Sequence, residues 1–360
     1  MTESTLNNRV KKSETRRRKR KKSNRLLLWS IGVFLFAIAA CTTAYFELFS
    51  GSASTNAIVR VPSVASQSNV RDSLARYLGY GYANKVMRLA DLRGVDLSSR
   101  HGAYLIEAGE SPLTAMRRLT SGAQHPLTIT INGFRLLSVL EEKVSKRFDF
   151  SASEFAGILA NEKTLEPYGL TPDQALALFI NDSYEFYWSA TPADVVKKIG
   201  AHYLDVWNQN RRDKAEALGI SPADVMIIAS IVDEETNALE EKGIIGRLYI
   251  NRLRIGMPLQ ACPTVRYAVG DFSMKRITNK AMEIDSPYNT YKRKGLPPGP
   301  IRTVSVETID AILDSTPNDY LYMCAKEDFS GRHNFATNYN DHQNSARRYQ
   351  RELNRRGIYK

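Results

Sequence analysis

Cysteine and histidine are scarce in this sequence, with three and five residues in a chain of 360. The chain also lacks a CxxC pair, an HExxH pair, a P-loop and a GxGxxG turn. These absences remove the sequence signatures of zinc sites and of nucleotide-binding folds. We therefore expect no metal and no organic cofactor. Cys262 and Cys324 are too few for a disulfide framework and are expected to be unpaired, although two thiols of an exported protein could form a bridge.

Positive charge is concentrated at one end of the chain. Residues 1–25, a basic arm, contain eleven Lys and Arg against two Glu, a net charge of +9 out of +12 for the whole chain. The remaining 335 residues therefore carry only +3. A nucleic-acid-binding domain places its positive charge on a folded surface with aromatic or base-reading groups nearby, and this aromatic-free arm does not. We expect no nucleic-acid partner.

An uncharged apolar run follows the basic arm. It covers 21 residues, 26–46, and a helix of that length crosses a hydrocarbon core of roughly 30 Å. Because cationic residues stay on the cytoplasmic side, the run predicts a single transmembrane helix with a cytoplasmic N-terminus and about 310 residues outside. The protein is therefore expected in the cell inner (plasma) membrane.

Two other interpretations of this run are considered. A cleaved signal peptide has a shorter apolar core than this one. The sequence Ile38-Ala39-Ala40-Cys41 resembles a bacterial lipobox, in which Cys41 would be lipidated after cleavage. We favour an uncleaved helix, because a cysteine in a membrane helix needs no special role.

The rest of the chain predicts an α+β fold in two regions. Residues 47–69 are rich in Ser, Ala and Asn and are expected to be a linker. Residues 70–126 contain a predicted strand at 103–106 and a helix that starts at Ser111, which indicates a small α+β module. Residues 127–360 are expected to form a larger mixed α/β domain.

The larger domain is expected to begin with a strand, because Leu127, Ile129 and Ile131 alternate with polar residues. It continues as mostly helix over residues 150–215. An aromatic segment, Asp182–Trp188, interrupts these helices. It is interpreted either as core packing or as one wall of a substrate site.

A helix that begins at Ser221 carries the strongest candidate for catalysis. Three acids end this helix, and on a helical wheel only Glu235 continues the apolar stripe, while Asp233 falls off the buried face. Burial and the negative end of the helix dipole both raise a carboxyl pKa, which suits an acid that protonates a glycosidic oxygen. The alternative is a structural ion pair of Glu235 with Arg247 or Arg252.

A second helix is expected over about residues 242–254, followed by long loops rich in Gly, Pro, Asn and Tyr, where binding groups collect. Carbohydrates present both hydroxyl groups and apolar ring faces. The candidate partners for them are Gln260, Thr264, Tyr288, Asn289 and Tyr291. A role in holding the loops in place is equally open for these residues.

Several segments of this part of the chain resemble the endolytic murein transglycosylases (MltG or YceG-like). They are ASIVDEET (229–236), INRLRIGMPLQACPTV (250–265), DSPYNTYKRKGLPPGPI (285–301), DYLYMCAK (319–326) and His333-Asn334-Phe335. The similarity is strong over about residues 200–350. It is weaker around 102–122, which resembles a LysM module.

The resemblance implies a membrane-anchored protein with a LysM-like module over 70–126 and a YceG-like catalytic domain over 127–360 in the periplasm. It implies a lytic transglycosylase, a carbon–oxygen lyase that cuts peptidoglycan glycan strands between N-acetylmuramic acid and N-acetylglucosamine. The cut leaves 1,6-anhydromuramyl ends and limits strand length. Peptidoglycan synthases (penicillin-binding proteins) are the implied protein partners.

The resemblance also assigns the catalytic acid. The second acid of the family motif IVExET corresponds to Glu235, which would protonate the leaving oxygen and then accept the proton of the muramyl C6 hydroxyl. Gln260, Tyr288 and Asn289 would help to orient the sugar. The sequence departs from the family at Asp233, where many relatives have Glu, and at Cys262, where relatives often have Asp.

Two other functions are weighed against the enzyme. One is a catalytically inactive peptidoglycan-binding scaffold that recruits cell-wall synthases. The other is a membrane-tethered protein whose function depends on the basic arm binding nucleic acid or lipid, and it is the less favoured of the two.

Overall fold

The computed structural model describes residues 3–274 and 277–357. The chain divides into two compact units, of which the first ends at His125 and the second begins at Pro126. Each unit has its own hydrophobic core. The architecture is α+β, because short antiparallel strand pairs alternate with helices in both units.

Within its described part, residues 3–125, the first unit contains two strands and four helices. In chain order these are α1 (Glu3–Phe49), β1 (Ala57–Val61), α2 (Gln67–Leu78), α3 (Tyr80–Leu92), β2 (Gly102–Ile106) and α4 (Pro112–Ser121), with a 3-10 turn at Leu97–Ser99.

Strand β1 corrects the prediction that residues 47–69 are a linker. Ala57, Val59 and Val61 are buried and alternate with exposed residues, and β1 pairs antiparallel with β2 along its whole length. In sequence, this alternating pattern is too short to distinguish a strand from a Ser-rich linker. The strand that pairs with it also lies far along the chain. The LysM-like interpretation of this unit stays a prediction.

The strand and helix predicted for residues 103–122 are both present. Ser111 accepts a hydrogen bond from the Thr114 N–H and so caps α4, whose first residue is Pro112. Gly122 follows α4 with a left-handed φ of 72°, a conformation that glycine adopts without strain. Local cap chemistry therefore fixes both ends of this helix.

The C-terminal part of α1 is long and apolar enough to cross a membrane. This part, Arg25–Phe49, contains an 18-residue window with a mean hydropathy of 2.1 and no buried residue. Its apolar side chains, including Trp29 and Phe36, are exposed. It contains the run predicted at 26–46.

The second unit contains four strands and eleven helices among its described residues. In chain order these are β3 (Pro126–Ile131), α5 (Leu137–Ser145), α6 (Ala152–Leu159), α7 (Glu162–Leu165), β4 (Asp182–Tyr187), α8 (Pro192–Val206), α9 (Gln209–Leu218), α10 (Pro222–Glu235), α11 (Leu239–Arg254), α12 (Cys262–Val269), α13 (Asn279–Met282), α14 (Val306–Leu313), β5 (Tyr322–Ala325), β6 (His333–Ala336) and α15 (Tyr339–Arg355), with 3-10 turns at Glu166–Tyr168 and Pro172–Leu178.

The aromatic segment 182–188 is mainly strand. Strand β4 pairs antiparallel with β3 along its length. Tyr184 and Phe186 lie in the core, whereas Tyr187, on the opposite face, is 55% exposed. The core-packing interpretation therefore holds for one face of this strand.

Helix α10 lies in the centre of the second unit. All of its residues from Val225 to Val232 are buried. The neighbouring helices α9, α11, α12 and α14 surround it. A helix that is apolar on all sides has no single buried stripe. The helical-wheel argument that separated the three acids at its end therefore loses its basis.

Three segments within the regions predicted as loops have regular structure. Residues 262–269 form α12, and the segments 322–325 and 333–336 form the antiparallel pair β5–β6. These elements have eight, four and four residues. Runs of this length show too few periods for a sequence pattern to identify them. The predicted second helix is present as α11 and begins at Leu239, before the predicted start.

Two glycines allow α11 to pack closely against α14. A Cβ atom on Gly243 would lie 2.5 Å from the carbonyl oxygen of Ala311, and one on Gly246 would lie 2.6 Å from a side-chain carbon of Ile312. Both distances are shorter than van der Waals contact. The close approach also positions Glu241 and Tyr249, two residues of α11 that belong to the candidate active site described below.

We expect Gly243→Ala to lower the free energy of unfolding by about 1–3 kcal/mol, because the methyl group forces α11 away from the α14 backbone. Gly157→Ala is the matched control, since no atom lies within 4 Å of a Cβ at this helical position. It should raise the free energy of unfolding by up to about 1 kcal/mol. Chemical denaturation followed by circular dichroism measures both, and similar effects of the two substitutions would contradict the close packing.

Candidate active site

Three consecutive acids lie at the C-terminal end of α10. The start of this helix is fixed by a capping box, in which the Ser221 hydroxyl accepts from the Asp224 N–H and the Asp224 carboxylate accepts from the Ser221 N–H. Glu235 is the last residue of the helix, and Thr236 follows as the C-cap. The three acids differ in their partners, which determines what each can do.

Asp233 is a buried ion-pair partner. Its Oδ1 accepts hydrogen bonds from Lys242 Nζ at 2.7 Å and from Thr308 Oγ1 at 2.6 Å. Its side chain is 7% exposed. The prediction that Asp233 lies off the buried face is therefore wrong, because α14 covers that side of α10. The carboxylate joins α10, α11 and α14.

Glu234 is held by arginines from other segments. Arg135 donates to both of its carboxylate oxygens, at 2.8 and 3.0 Å, and Arg302 donates to one at 2.9 Å. A third guanidinium, that of Arg266, lies 3.9 Å away. Such charge-assisted bonds are strong, and together they fix the end of α10 to the loops around it.

Glu235 has a neutral partner instead of a cation. The hydroxyl of Tyr249 donates to its Oε1 at 3.0 Å. Among the residues that the structure describes, no Lys, Arg or His nitrogen lies within 4.0 Å of its carboxylate. Burial raises the pKa of Glu235, and this effect outweighs the lowering caused by the Tyr249 hydrogen bond and by the charges of His333 and Arg266.

The predicted alternative, an ion pair of Glu235 with Arg247 or Arg252, is not formed. The Arg252 guanidinium donates instead to the carbonyl oxygens of Leu259 and Leu321, both at 2.6 Å. It therefore supports the chain segments that border the site.

A cavity of about 400 Å³ opens in front of Glu235. Its polar or ionisable lining residues are Glu235, Tyr249, Arg252, Gln260, Cys262, Tyr291, Tyr322, Cys324, His333, Tyr339 and His342. Glu235 is the one carboxylic acid of this lining within the described part of the chain. A cavity of this size, with tyrosines and a single protonatable acid, can hold a polar ligand that has apolar faces.

His333 enters the cavity from the start of β6 and is held by a second buried glutamate. Glu241 Oε2 lies 2.8 Å from His333 Nδ1, and its Oε1 accepts the backbone N–H of His333 at 2.8 Å. The Glu241 side chain is 7% exposed. The pair therefore ties α11 to the β5–β6 hairpin and fixes the orientation of the imidazole.

Two of the five predicted sugar-binding residues, Gln260 and Tyr291, line the cavity. Gln260 is exposed, and its φ of 48° lies in the left-handed region that non-glycine residues seldom adopt. Its backbone N–H donates to the Thr290 carbonyl oxygen at 3.0 Å. Backbone strain of this kind clusters at functional sites.

The other three predicted sugar-binding residues do not line the cavity. Thr264 is fully buried and donates to the Ala261 carbonyl oxygen at 2.8 Å. Asn289 is also fully buried, and its Nδ2 donates to the carbonyl oxygens of Met282 and Ile284. Tyr288 packs against another ring, that of Tyr267, with centroids 4.6 Å apart. For these residues the structure favours the loop-fixing role.

Tyr249, Arg252, His333 and His342 line the cavity but were absent from the predicted site residues. Tyr249 is fully buried on α11, one turn before the helix ends, where it resembles any core tyrosine in sequence. His333 lies within a segment that the family resemblance marks. The scarcity of histidine in the chain was the one further signal that pointed to it.

The two thiols outside α1 border the same cavity. Cys262 and Cys324 are both unpaired, and Cys262 Sγ lies 3.2 Å from the Tyr291 hydroxyl. Burial raises the pKa of each thiol, so both are protonated near neutral pH. Among residues 3–274 and 277–357, no group of three or more His, Cys, Asp or Glu side chains is placed to hold a metal ion.

Two relatives with curated names are similar to this chain. An endolytic murein transglycosylase of Bacillus subtilis (strain 168) is 27% identical over 263 residues, which cover 69% of this chain and 72% of the relative. An endolytic murein transglycosylase of Streptococcus pneumoniae is 35% identical over 163 residues. That match covers 44% of this chain and 28% of the streptococcal protein.

The fold is similar to that of a solved structure. A crystal structure of a putative YceG-like protein from Listeria monocytogenes superimposes with a TM-score of 0.53 at 22% sequence identity. The match covers 80% of this chain and 98% of that one. The model of the YceG-like family matches residues 59–348, which is most of the sequence and includes all of the cavity described above. The chain belongs to the YceG-like family.

Proposed function

We propose that this protein is a lytic transglycosylase that cuts glycan strands of peptidoglycan between N-acetylmuramic acid and N-acetylglucosamine. The observation that carries the proposal is Glu235, a buried carboxyl that faces a cavity and has a tyrosine hydroxyl for a partner. Its raised pKa suits a proton donor at neutral pH. The names of the two similar relatives support the same activity.

The first chemical step is proton donation. Glu235 gives its proton to the oxygen that joins the two sugars, and the bond between this oxygen and the muramyl C1 breaks. The muramyl C6 hydroxyl bonds to C1 and releases its proton to a base, which leaves a 1,6-anhydro end. The ionised Glu235 is one acceptor for that proton.

Within the part of the chain that the structure describes, the cavity has no second free carboxylate, which supports a lyase over a hydrolase. Two-carboxylate glycosidases place their second acid roughly 5 to 9.5 Å from the first, where it acts as nucleophile or base. Here the neighbouring acids Asp233 and Glu234 are engaged by Lys242 and by arginines. Within the described residues, the cavity lining offers no other carboxylic acid.

We also propose that α1 anchors the enzyme in the cell inner membrane with the second unit in the periplasm. The apolar part of α1 follows a strongly basic arm, which favours a cytoplasmic N-terminus. An enzyme tethered beside the membrane would reach newly made strands and limit their length. Peptidoglycan synthases are the protein partners that this position suggests.

We expect Glu235→Gln to lower the rate of anhydromuramyl product formation by at least 10²-fold, because glutamine cannot donate a proton. The free energy of unfolding should stay the same or rise, since the substitution removes a desolvated acid. Mass spectrometry of digested glycan strands measures the product, and the exposed Glu142→Gln is the control. Reducing ends would indicate a hydrolase, and sacculus binding without cleavage would indicate the inactive scaffold.

A second prediction concerns pH. The proposed acid works only while protonated, so the rate should fall as the pH rises through the pKa of Glu235, above the ordinary carboxyl range. The Tyr249 hydrogen bond stabilises the ionised form. Tyr249→Phe should therefore raise this pKa and move the alkaline fall in rate to higher pH. A pH profile of kcat tests this, and a shift to lower pH would contradict the assignment.

A further inference from the structure

Glu241 is a buried carboxylate whose two oxygens both bind one residue, His333. Both of its oxygens contact His333, one at the backbone N–H and one at Nδ1, each at 2.8 Å. Its immediate neighbour, Glu240, pairs with Arg332 at the surface, where both side chains are more than half exposed. Burying a carboxylate costs desolvation free energy. The proton donation proposed for Glu235 does not use Glu241, so this buried group has no role in that step.

The contact determines which ring nitrogen of His333 is free. A carboxylate accepts hydrogen bonds, so Nδ1 carries a proton and donates it to Glu241. In the neutral ring, Nε2 then has a lone pair, and His333 lines the cavity in front of Glu235. When Nε2 gains a proton, the negative charge of Glu241 stabilises the imidazolium. This is how a carboxylate supports a histidine base in other enzymes.

The cavity has a second histidine, His342, that can be compared with His333. His342 also lines the cavity, but its ring stacks on Tyr322 with centroids 5.3 Å apart. Its buried Nδ1 has no hydrogen-bond partner among the described residues. Burial and the charge of Arg252 lower the pKa of His342. Of the two histidines in the cavity, His333 is therefore the one equipped to accept a proton.

We propose that His333 is the general base that takes the proton of the muramyl C6 hydroxyl. Glu241 is then the positioning residue that orients the imidazole and stabilises its protonated form. The proposal rests on the lytic transglycosylase activity proposed above. It assigns the two proton transfers to two residues, so that Glu235 does not have to serve both the leaving oxygen and the incoming one.

The protons balance over one turnover. Glu235 loses its proton to the departing sugar as the C1–oxygen bond breaks. The C6 oxygen forms a bond to C1, and its proton passes to Nε2 of His333. The enzyme is left with an ionised Glu235 and a protonated His333. Transfer of one proton from the imidazolium to the carboxylate, directly or through water, restores the starting state with no other reactant.

The charged and titratable groups that line the cavity together with His333 come from several elements. They are Glu235 from α10, Glu241, Tyr249 and Arg252 from α11, Cys262 from α12, Tyr291 from the following loop, Tyr322 and Cys324 from β5, and Tyr339 and His342 from α15. Burial raises the pKa of both thiols and of Tyr249 and Tyr291, so these groups stay neutral below pH 8. Glu235, Arg252 and the two histidines are therefore the cavity groups whose charge the reaction can depend on.

The test compares matched variants of the full-length protein on soluble, uncross-linked glycan strands. His333→Gln should lower kcat by about 10²- to 10⁴-fold with little change in KM, and should remove the fall in rate at acidic pH. His342→Gln should keep that acidic fall. Added imidazole should restore part of the activity of His333→Ala, which a purely structural role of the side chain would not allow.

Glu241→Gln, with Glu240→Gln as its control, tests the positioning role. Without the negative charge the imidazole is a weaker base, so the acidic fall should move to lower pH and kcat should drop, whereas Glu240→Gln should match the wild type. These variants decide the question also where His333→Gln fails to fold. Wild-type kcat and pH profile in the His333 and Glu241 variants would overturn this inference alone, while a wild-type protein that makes no anhydro ends would overturn the proposed function.

Discussion

The site depends on one carboxyl group, that of Glu235, which forms no ion pair among the described residues. Three acids follow one another at the end of α10, and two of them are neutralised by Lys242 and by arginines. Among the described residues, those pairs leave Glu235 with the Tyr249 hydroxyl as its hydrogen-bond partner. In a buried position the protonated form of such a group is favoured, because desolvation penalises the charged form more than the Tyr249 hydrogen bond and the charges of His333 and Arg266 stabilise it.

The scaffold serves to keep those cations away from Glu235. Helix α10 is buried on all sides, so each acid at its end meets a different neighbour: α14 beside Asp233, the arginine-bearing loops beside Glu234, and the cavity beside Glu235. The close packing of α11 on α14 places Lys242 and Tyr249 for this arrangement. The ion pairs therefore determine which acid faces the ligand, a specificity role that buried pairs can have even where they add little stability.

Helices with strong caps could be predicted from local sequence signals. The predictions that failed concern elements and side chains whose partners the sequence does not reveal. The Ser-Pro starts of α4 and α10 can be recognised in sequence because the cap bonds are formed within three residues. The strands β1, β5 and β6 could not be recognised, since each depends on a partner elsewhere in the chain. The same limit applies to Thr264 and Asn289, whose polar groups bond to nearby backbone and fix loops, a use that composition cannot distinguish from sugar binding.

The site carries a cost in stability that its proposed role explains. A carboxyl whose pKa is higher in the folded state than in the unfolded chain makes folding less favourable as the pH rises above the unfolded value, and the loss is complete above the folded value. Glu235 also ends a helix, where the dipole disfavours negative charge. An acid that only held the fold together would sit better beside Lys242 or the arginines, as its two neighbours do. A proton that must leave and return requires an acid whose charged form is tolerable but not favoured, and the end of α10 provides that environment.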